Sequence, residues 1–97
     1  MADAAITLRI LTAEGVALEE RTSAVIAPGE IGYLGMLRNH APLVTTLTPG
    51  TLTCDRPDGA RRAVRVGAGL LEVVRNQITV LTDAVSESAA AGRSDVL

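Results

Sequence analysis

The 97-residue sequence has no lysine, phenylalanine or tryptophan, and it has one tyrosine (Tyr33), one histidine (His40) and one cysteine (Cys54). Each scarcity removes a class of function. With so little aromatic surface there is no platform on which bases could stack, which argues against binding of single-stranded nucleic acid. All nine basic residues are arginines, set against eleven acids for a formal net charge of -2. Arg61-Arg62 is the only adjacent basic pair. No basic run follows a phosphate backbone, and Arg61, Arg62 and Arg65 read as a solvated strand edge. A single cysteine forms no intrachain disulfide and fits a reducing compartment. In Thr51-Leu52-Thr53-Cys54-Asp55 the alternation puts Leu52 and Cys54 on one side of a strand. There a thiol acts as a small apolar side chain rather than a nucleophile. One histidine and one cysteine carry no zinc-site motif. The opening MADAAITLRIL has an acid where a secretory signal has its basic start, and no segment approaches the roughly 20 apolar residues that span a bilayer. A soluble, cytoplasmic protein is expected, with any tie to a membrane made through a partner.

What the chain does have is aliphatic. Hydrophobic residues make up 47% of it, nearly all of them Leu, Val, Ile and Ala. The length suits one domain, able to bury roughly 60–65% of the surface its unfolded chain exposes. Apolar positions recur mostly every second residue, the period of a strand. Ile6, Leu8 and Ile10 alternate with Thr7 and Arg9. After a turn at Ala13-Glu14-Gly15 a second extended run goes from about Val16 to Ala27, with Pro28-Gly29 expected to end it. The glycine spacing predicts only brief strands around Gly32–Gly35 and Met36-Leu37. Leu43–Leu47 and Thr51–Asp55 follow, separated by Pro49-Gly50. Arg56-Pro57-Asp58-Gly59 is a hairpin turn, since Pro presets one φ angle and Gly accepts a positive one. Ala63–Val66 returns with Val64 and Val66 on one face. Gly67-Ala68-Gly69 breaks the run before Leu70–Val74, and Arg75-Asn76 makes a two-residue turn into Gln77–Leu81, where Ile78 and Val80 share a face. Short strands with turns at this frequency predict an all-β sandwich or barrel. Composition changes at SESAAAGRSDVL, so the domain is expected over residues 1–85 and a flexible or partly helical tail over 86–97.

Catalytic patterns are missing. Acyl transfer needs a nucleophile, a base and an orienting group, and His40 stands without a nucleophile elbow. Gly29, Gly32 and Gly35 are spaced by three, without the lysine of a phosphate-cradling loop. The backbone around His40 is more informative. Ala41 precedes Pro42 and is therefore held extended. A loop fixed in one shape on a rigid sheet suits recognition; the plainer alternative is a structural turn in which His40 binds a backbone carbonyl.

PGEIGYLGMLRNHAPLVTTLTPG, Pro28 to Gly50, resembles the signature P-G-x-x-G-x-L-G-I-L-P-x-H-A-P-L-x-T-x-L-x-x-G of the epsilon subunit of F-type ATP synthases, called delta in mitochondria. VGAGLLEVVRNQITVLTD, Val66 to Asp83, is similar to that family's G-G-x-x-E-V-x-x-N-x-V-T-V-L-x-D segment. The resemblance implies a flattened ten-stranded β-sandwich of two sheets. It also implies a non-catalytic subunit of the central rotor stalk that binds the gamma subunit and rests on the membrane c-ring. That subunit would help couple proton or sodium flow to ATP synthesis, at the cytoplasmic face of the membrane and without a cofactor of its own. Carried over residue by residue, Thr12, His40, Ala41, Pro42 and Thr45 fall at gamma-contact positions. Glu30, Gly32, Tyr33, Leu34 and Arg38 fall at c-ring-contact positions, with Gly32-Tyr33-Leu34 as the tip. The chain departs from the pattern where Tyr33 replaces a frequent carboxylate, Arg38 a proline and Ala68 one of two glycines. It also stops where the family's C-terminal helical hairpin would begin, so that hairpin's inhibition and ATP binding are not carried over. A small β-barrel that binds an apolar ligand is the alternative the aliphatic composition permits, and a hydrolase built on His40 is a weaker one.

Overall fold

Alternation of apolar and polar residues is expressed as strands wherever the computed structural model describes the chain, residues 5–87. Of the tail expected over 86–97, Ser86 and Glu87 belong to a strand and 88–97 lies outside the described residues. The strands are β1 (Ile6–Thr12), β2 (Gly15–Thr22), β3 (Ala24–Gly29), β4 (Gly32–Leu37), β5 (Leu43–Leu47), β6 (Gly50–Asp55), β7 (Arg61–Val66), β8 (Gly69–Val74), β9 (Gln77–Thr82) and β10 (Val85–Glu87). Hydrogen bonding orders them β10-β7-β6-β3-β5-β8-β9-β1-β2, with β4 added alongside β3. The ladder is antiparallel except where β1 lies parallel to β9. It doubles over into two layers, β4-β3-β6-β7-β10 and β5-β8-β9-β1-β2, which meet at the single pair Gly29↔Leu47. This is the expected all-β sandwich of ten strands.

One face of each layer is dry. Ile6, Leu8, Ile10, Leu71, Val73, Ile78 and Val80 from one layer meet Val25, Ala27, Met36, Leu52, Cys54, Val64 and Val66 from the other. Each of these faces consists of alternate residues, as the pleat requires. Cys54 is among them, fully enclosed. Burial, then the nearby Glu20 carboxylate, pushes its thiol up to about 11, with Arg62 opposing. It is an inert core residue.

Turn chemistry explains most boundaries. Arg75 and Asn76 take φ of 50° and 62°, the pair of left-handed residues that suits a two-residue hairpin. Gly59 takes φ 92°, and its N–H donates to Arg56 O at 2.9 Å across the β6–β7 turn. Ala68, standing in place of a glycine, is not in the left-handed region. Three expectations need correction. The run from Val16 to Ala27 is two strands, broken at Ser23, because the chain changes layer there: Thr22 Oγ1 donates to Asp55 O at 2.6 Å and Ser23 N donates to the same oxygen at 3.2 Å. Pro28-Gly29 does end the second of them, β3, as its last two residues. Pro28 pairs with Tyr33 and Gly29 with Gly32, so β3 and β4 form a hairpin whose turn is Glu30-Ile31. Gly32, at φ 135°, absorbs the strain, and Gly32 to Leu37 is one strand rather than two brief ones.

The third correction concerns charge. Arg61 and Arg65 are exposed, as expected of a mostly solvated face, but β7 is not an edge, since β10 pairs along it, and Arg62 departs from the expectation. Arg62 occupies an inward-facing position. Its Nη1 donates to Glu20 Oε2 at 2.8 Å, and its Nε donates to Glu87 Oε2 at 3.1 Å. Side-chain exposure is 28% for Arg62 and 13% for Glu20. The hydrogen bond to Glu87 first of all raises the guanidinium above its ordinary value. Arg61, in contrast, makes an exposed pair with Asp55 at 3.0 Å.

Two stability predictions follow from the packing. A Cβ added at Gly69 would sit 1.9 Å from the carbonyl oxygen of Leu81, a backbone atom that cannot yield without breaking the β8–β9 ladder. Gly69→Ala should cost at least about 3 kcal/mol in urea denaturation, and an unchanged midpoint would refute the close approach. Cys54 sets an alkaline limit. Below its ordinary 9.0 the thiol is protonated in both states, whereas between 9.0 and about 11 the unfolded chain ionises first. Stability should therefore fall with rising pH across that window, and Cys54→Ala should flatten the slope whatever it costs in packing.

Candidate functional site

Strand register separates the expected site residues into two groups at opposite ends of the sandwich. Leu47 pairs with Gly69, Gly69 with Thr82, and Leu11 with Leu81. The β3–β4 turn, the β1–β2 turn with Thr12, and Asp83 therefore share one end. Leu43 pairs with Val73 and Thr7 with Gln77, so the His40 loop and the Arg75-Asn76 turn share the other. From Thr7 to Thr12 is about 16 Å of strand at 3.3 Å per residue. Thr12 thus stands apart from His40, although both were expected at one contact.

The His40 loop is tied down by its neighbours. Asn39 takes φ 66°, which its short polar side chain tolerates, and its N–H donates to Asn76 Oδ1 at 2.6 Å. Asn76 Nδ2 returns a bond to Asn39 Oδ1 at 3.3 Å. His40 N donates to Leu37 O at 3.2 Å, and its Nδ1 lies 2.7 Å from Ala41 O. A carbonyl only accepts, so Nδ1 carries the proton and Nε2 is the ring atom able to meet a partner. Ala41 and Pro42 are exposed beside it, while Thr45 faces the sandwich interior, half-buried. Arg38, exposed on the same loop, lies at this end and not with the hairpin turn.

At the far end the β3–β4 turn projects. Its apex is Glu30-Ile31, whereas Gly32, Tyr33 and Leu34 lie within β4 and Leu34 packs against the core. Ile31 is 97% exposed and Tyr33 63%. Thr46 Oγ1 donates to Glu30 Oε1, holding that carboxylate back toward β5. Thr12 Oγ1 accepts from Glu14 N at 3.2 Å, which shapes the neighbouring β1–β2 turn.

Between that turn and β10 runs an open groove of about 410 Å³, its floor including Leu18, Val64 and Val85 and its rim Glu14, Asp83 and Glu87. Three carboxylates on the rim do not suit an apolar ligand. Among the described residues His40 bonds only to backbone, and no nucleophile or carboxylate pairs with it. Among the described residues no cluster of three or more His, Cys, Asp or Glu could hold a metal ion. No helix among them is long and apolar enough to cross a membrane. The sequence reading missed Ile31 and the Glu20–Arg62–Glu87 group. A β-branched apolar residue inside the turn PGEIG was the visible sign of the first; the second joins strands too far apart in the chain to be seen.

Known proteins place this architecture. The curated ATP synthase epsilon chain of Moorella thermoacetica is 44% identical over 85 residues, covering 88% of this chain and 63% of the relative. That of Verminephrobacter eiseniae is 39% identical over 74 residues, covering 76% and 54%. The chain therefore spans less than two thirds of these relatives. A chain in the cryo-EM structure of the Euglena gracilis mitochondrial ATP synthase OSCP/F1/c-ring superposes with a TM-score of 0.81 at 21% identity, covering 90% of this chain and 56% of that one. A chain of the Tetrahymena thermophila mitochondrial ATP synthase central stalk and c-ring gives 0.70 at 11%, covering 100% and 81%. These two likenesses concern the fold. Residues 5–88 match the family described as the ATP synthase Delta/Epsilon chain, beta-sandwich domain, and with the sequence identities this shows that the chain belongs to it.

Proposed function

We propose that this chain is a non-catalytic adaptor in the central stalk of a proton- or sodium-translocating F-type ATP synthase. In this reading the gamma subunit binds the end that carries His40, Ala41 and Pro42, and the membrane c-ring meets the end that carries the Glu30-Ile31 turn. The protein is then peripheral, held at the cytoplasmic face of the membrane by its partners. Thr45 supports the first contact from below, and Thr12 belongs with the second end. The observation that carries the reading is the separation of two exposed, hydrogen-bonded loops at opposite ends of one aliphatic sandwich. A body packed at crystal-like density yields little under load, and an adaptor that passes rotation from one partner to another needs that stiffness.

His40 tests the gamma contact. His40→Ala removes Nε2 from the contact and also the Nδ1 bond to Ala41 O. It should weaken binding to isolated gamma about three- to tenfold, the worth of one hydrogen bond. The thermal melt should stay within about 3 °C of the parent, as expected for a residue outside the core. Unchanged gamma affinity would remove His40 from the contact, and absence of gamma binding by the parent chain would remove the stalk reading.

A further inference from the structure

Edge strands present N–H and C=O groups with no ladder partner, and proteins protect them with charge, proline, bulges or brevity. Two edges of this sandwich are protected in that way. β2 carries Glu19, Glu20 and Arg21, and its ladder with β1 shifts register between Ile10 and Leu11. β10 has three residues, one of them Glu87. β4 has no such protection. Gly32-Tyr33-Leu34-Gly35-Met36-Leu37 contains neither charge nor proline, and among the described residues it pairs with β3 alone. The β3 ladder fixes which of its backbone groups face out. Pro28 has no N–H, and its carbonyl accepts from Thr48 N at 3.0 Å, so Pro28 and Tyr33 exchange no ladder bond. Antiparallel pairs alternate between bonded and unbonded, which turns the N–H groups of Tyr33, Gly35 and Leu37 to the open side. The same three residues line the outer face of the strand. Tyr33 is 63% and Leu37 65% exposed, with Ile26 beside Gly35 on β3. A Cβ at Gly35 would meet nothing within 4 Å, so the gap between the two large side chains is open.

We infer that the chain pairs with a second copy of itself, β4 running antiparallel to β4 about a two-fold axis at Gly35. Two five-stranded layers then become one continuous sheet. The strand is self-complementary in this register. Tyr33 of one copy lies opposite Leu37 of the other on the outer face, and Leu34 lies opposite Met36 on the inner face. Gly35 lies opposite Gly35, where the two backbones exchange both bonds. Arg38 of one copy comes to the Glu30 end of the other, so opposite charges meet at both ends and no like charges face each other. An isologous pairing of this kind closes at two copies. One strand pair is smaller than a standard interface of about 1,600 Å², so the dimer is weak, with a dissociation constant on the order of 10–100 µM. The dimer covers the unprotected edge, and the inference stands apart from the stalk reading.

Sedimentation velocity of the full chain from about 1 µM to about 1 mM should show its mass double, and amide exchange at Tyr33 and Gly35 should slow over the same range. Gly35→Asp and Gly35→Lys each set like charges face to face across the axis. Either alone should weaken association at least about fivefold, whereas an equimolar mixture of the two should restore it to within about threefold of the parent. The open space at Gly35 admits both side chains, so their melts at low concentration should stay within about 3 °C of the parent. A parent that remains monomeric throughout, or a dimer that both variants leave intact, would overturn the β4 pairing. Monomeric variants whose mixture fails to associate would overturn the two-fold register at Gly35. Should either variant melt early, the parent's exchange pattern decides, since protection gained away from β4 refutes the contact.

Discussion

A two-layer sandwich made from one continuous ladder must send its chain across the gap between layers, and here it does so five times: at β2–β3, β4–β5, β5–β6, β7–β8 and β9–β10. Every crossing carries peptide groups past the rim of an aliphatic core, where an unmet N–H or C=O costs about as much as a lost hydrogen bond. The chain solves two of these crossings with the same device. Thr22 and Thr82 are the two buried polar residues among those described, and each stands where the chain leaves one layer. Each hydroxyl accepts from the amide two residues on, Ala24 N at 3.2 Å and Ala84 N at 3.4 Å, and donates to a carbonyl of the facing segment, Asp55 O and Ala68 O. At β7–β8 the approach is close on both sides: a Cβ at Gly67 would meet the Asp83 carboxylate, and one at Gly69 the backbone of Leu81.

The two layers also have open flanks, and edge strands are liabilities. β2 and β10 end their respective layers, each with an inward-facing carboxylate, Glu20 and Glu87. Arg62 reaches both. A charge turned inward on an edge strand discourages pairing with another chain, and one guanidinium placed between two such charges makes the arrangement tolerable while drawing the flank together. Such a group contributes less to net stability than to specificity, since its desolvation offsets much of its attraction. It explains how Arg62 and Glu20 can sit on the core side of an otherwise aliphatic interior. One of its members, Glu87, also stands on the rim of the adjoining groove.

Much of the fold was legible before any coordinates. Strict alternation in Ile6–Ile10 and Val64–Val66, the paired left-handed residues Arg75-Asn76 and the Pro57-Asp58-Gly59 turn are local signals, and each is met in the structure. What failed was non-local. Pro28-Gly29 does terminate β3, but both residues lie inside the strand, where β3 changes neighbour from β6 to β5 and a missing ladder donor is tolerated. The break at Ser23 leaves no trace in the periodicity, because it is set by Asp55 from another strand. The candidate site was legible as a segment and not as a surface. His40 and the PGEIGY hairpin were found by motif, but which residue forms the apex depends on which glycine takes positive φ, and Gly32 rather than Gly35 does. The separation of Thr12 from His40 follows from the parallel β1–β9 pairing, a contact between the two ends of the domain that no local pattern encodes.

That parallel pairing bears on mechanics as well as topology. It stitches the first strand into the sheet beside the ninth, so the layer carrying the His40 loop joins strands from opposite ends of the sequence. Force applied at the Arg75-Asn76 end is shared by β8, β9 and β1 in shear, loading many ladder hydrogen bonds together rather than unzipping them one at a time. At the opposite end the β3–β4 hairpin joins the same layer through Gly29↔Leu47 and the Glu30–Thr46 bond. A backbone path from the His40 loop to the β3–β4 hairpin therefore runs along β5, from Leu43 to Leu47. For an adaptor between two turning partners, continuity of backbone between its ends matters more than the affinity of either end. In this chain, that continuity comes from β5, the short strand that directly follows the loop of its single histidine.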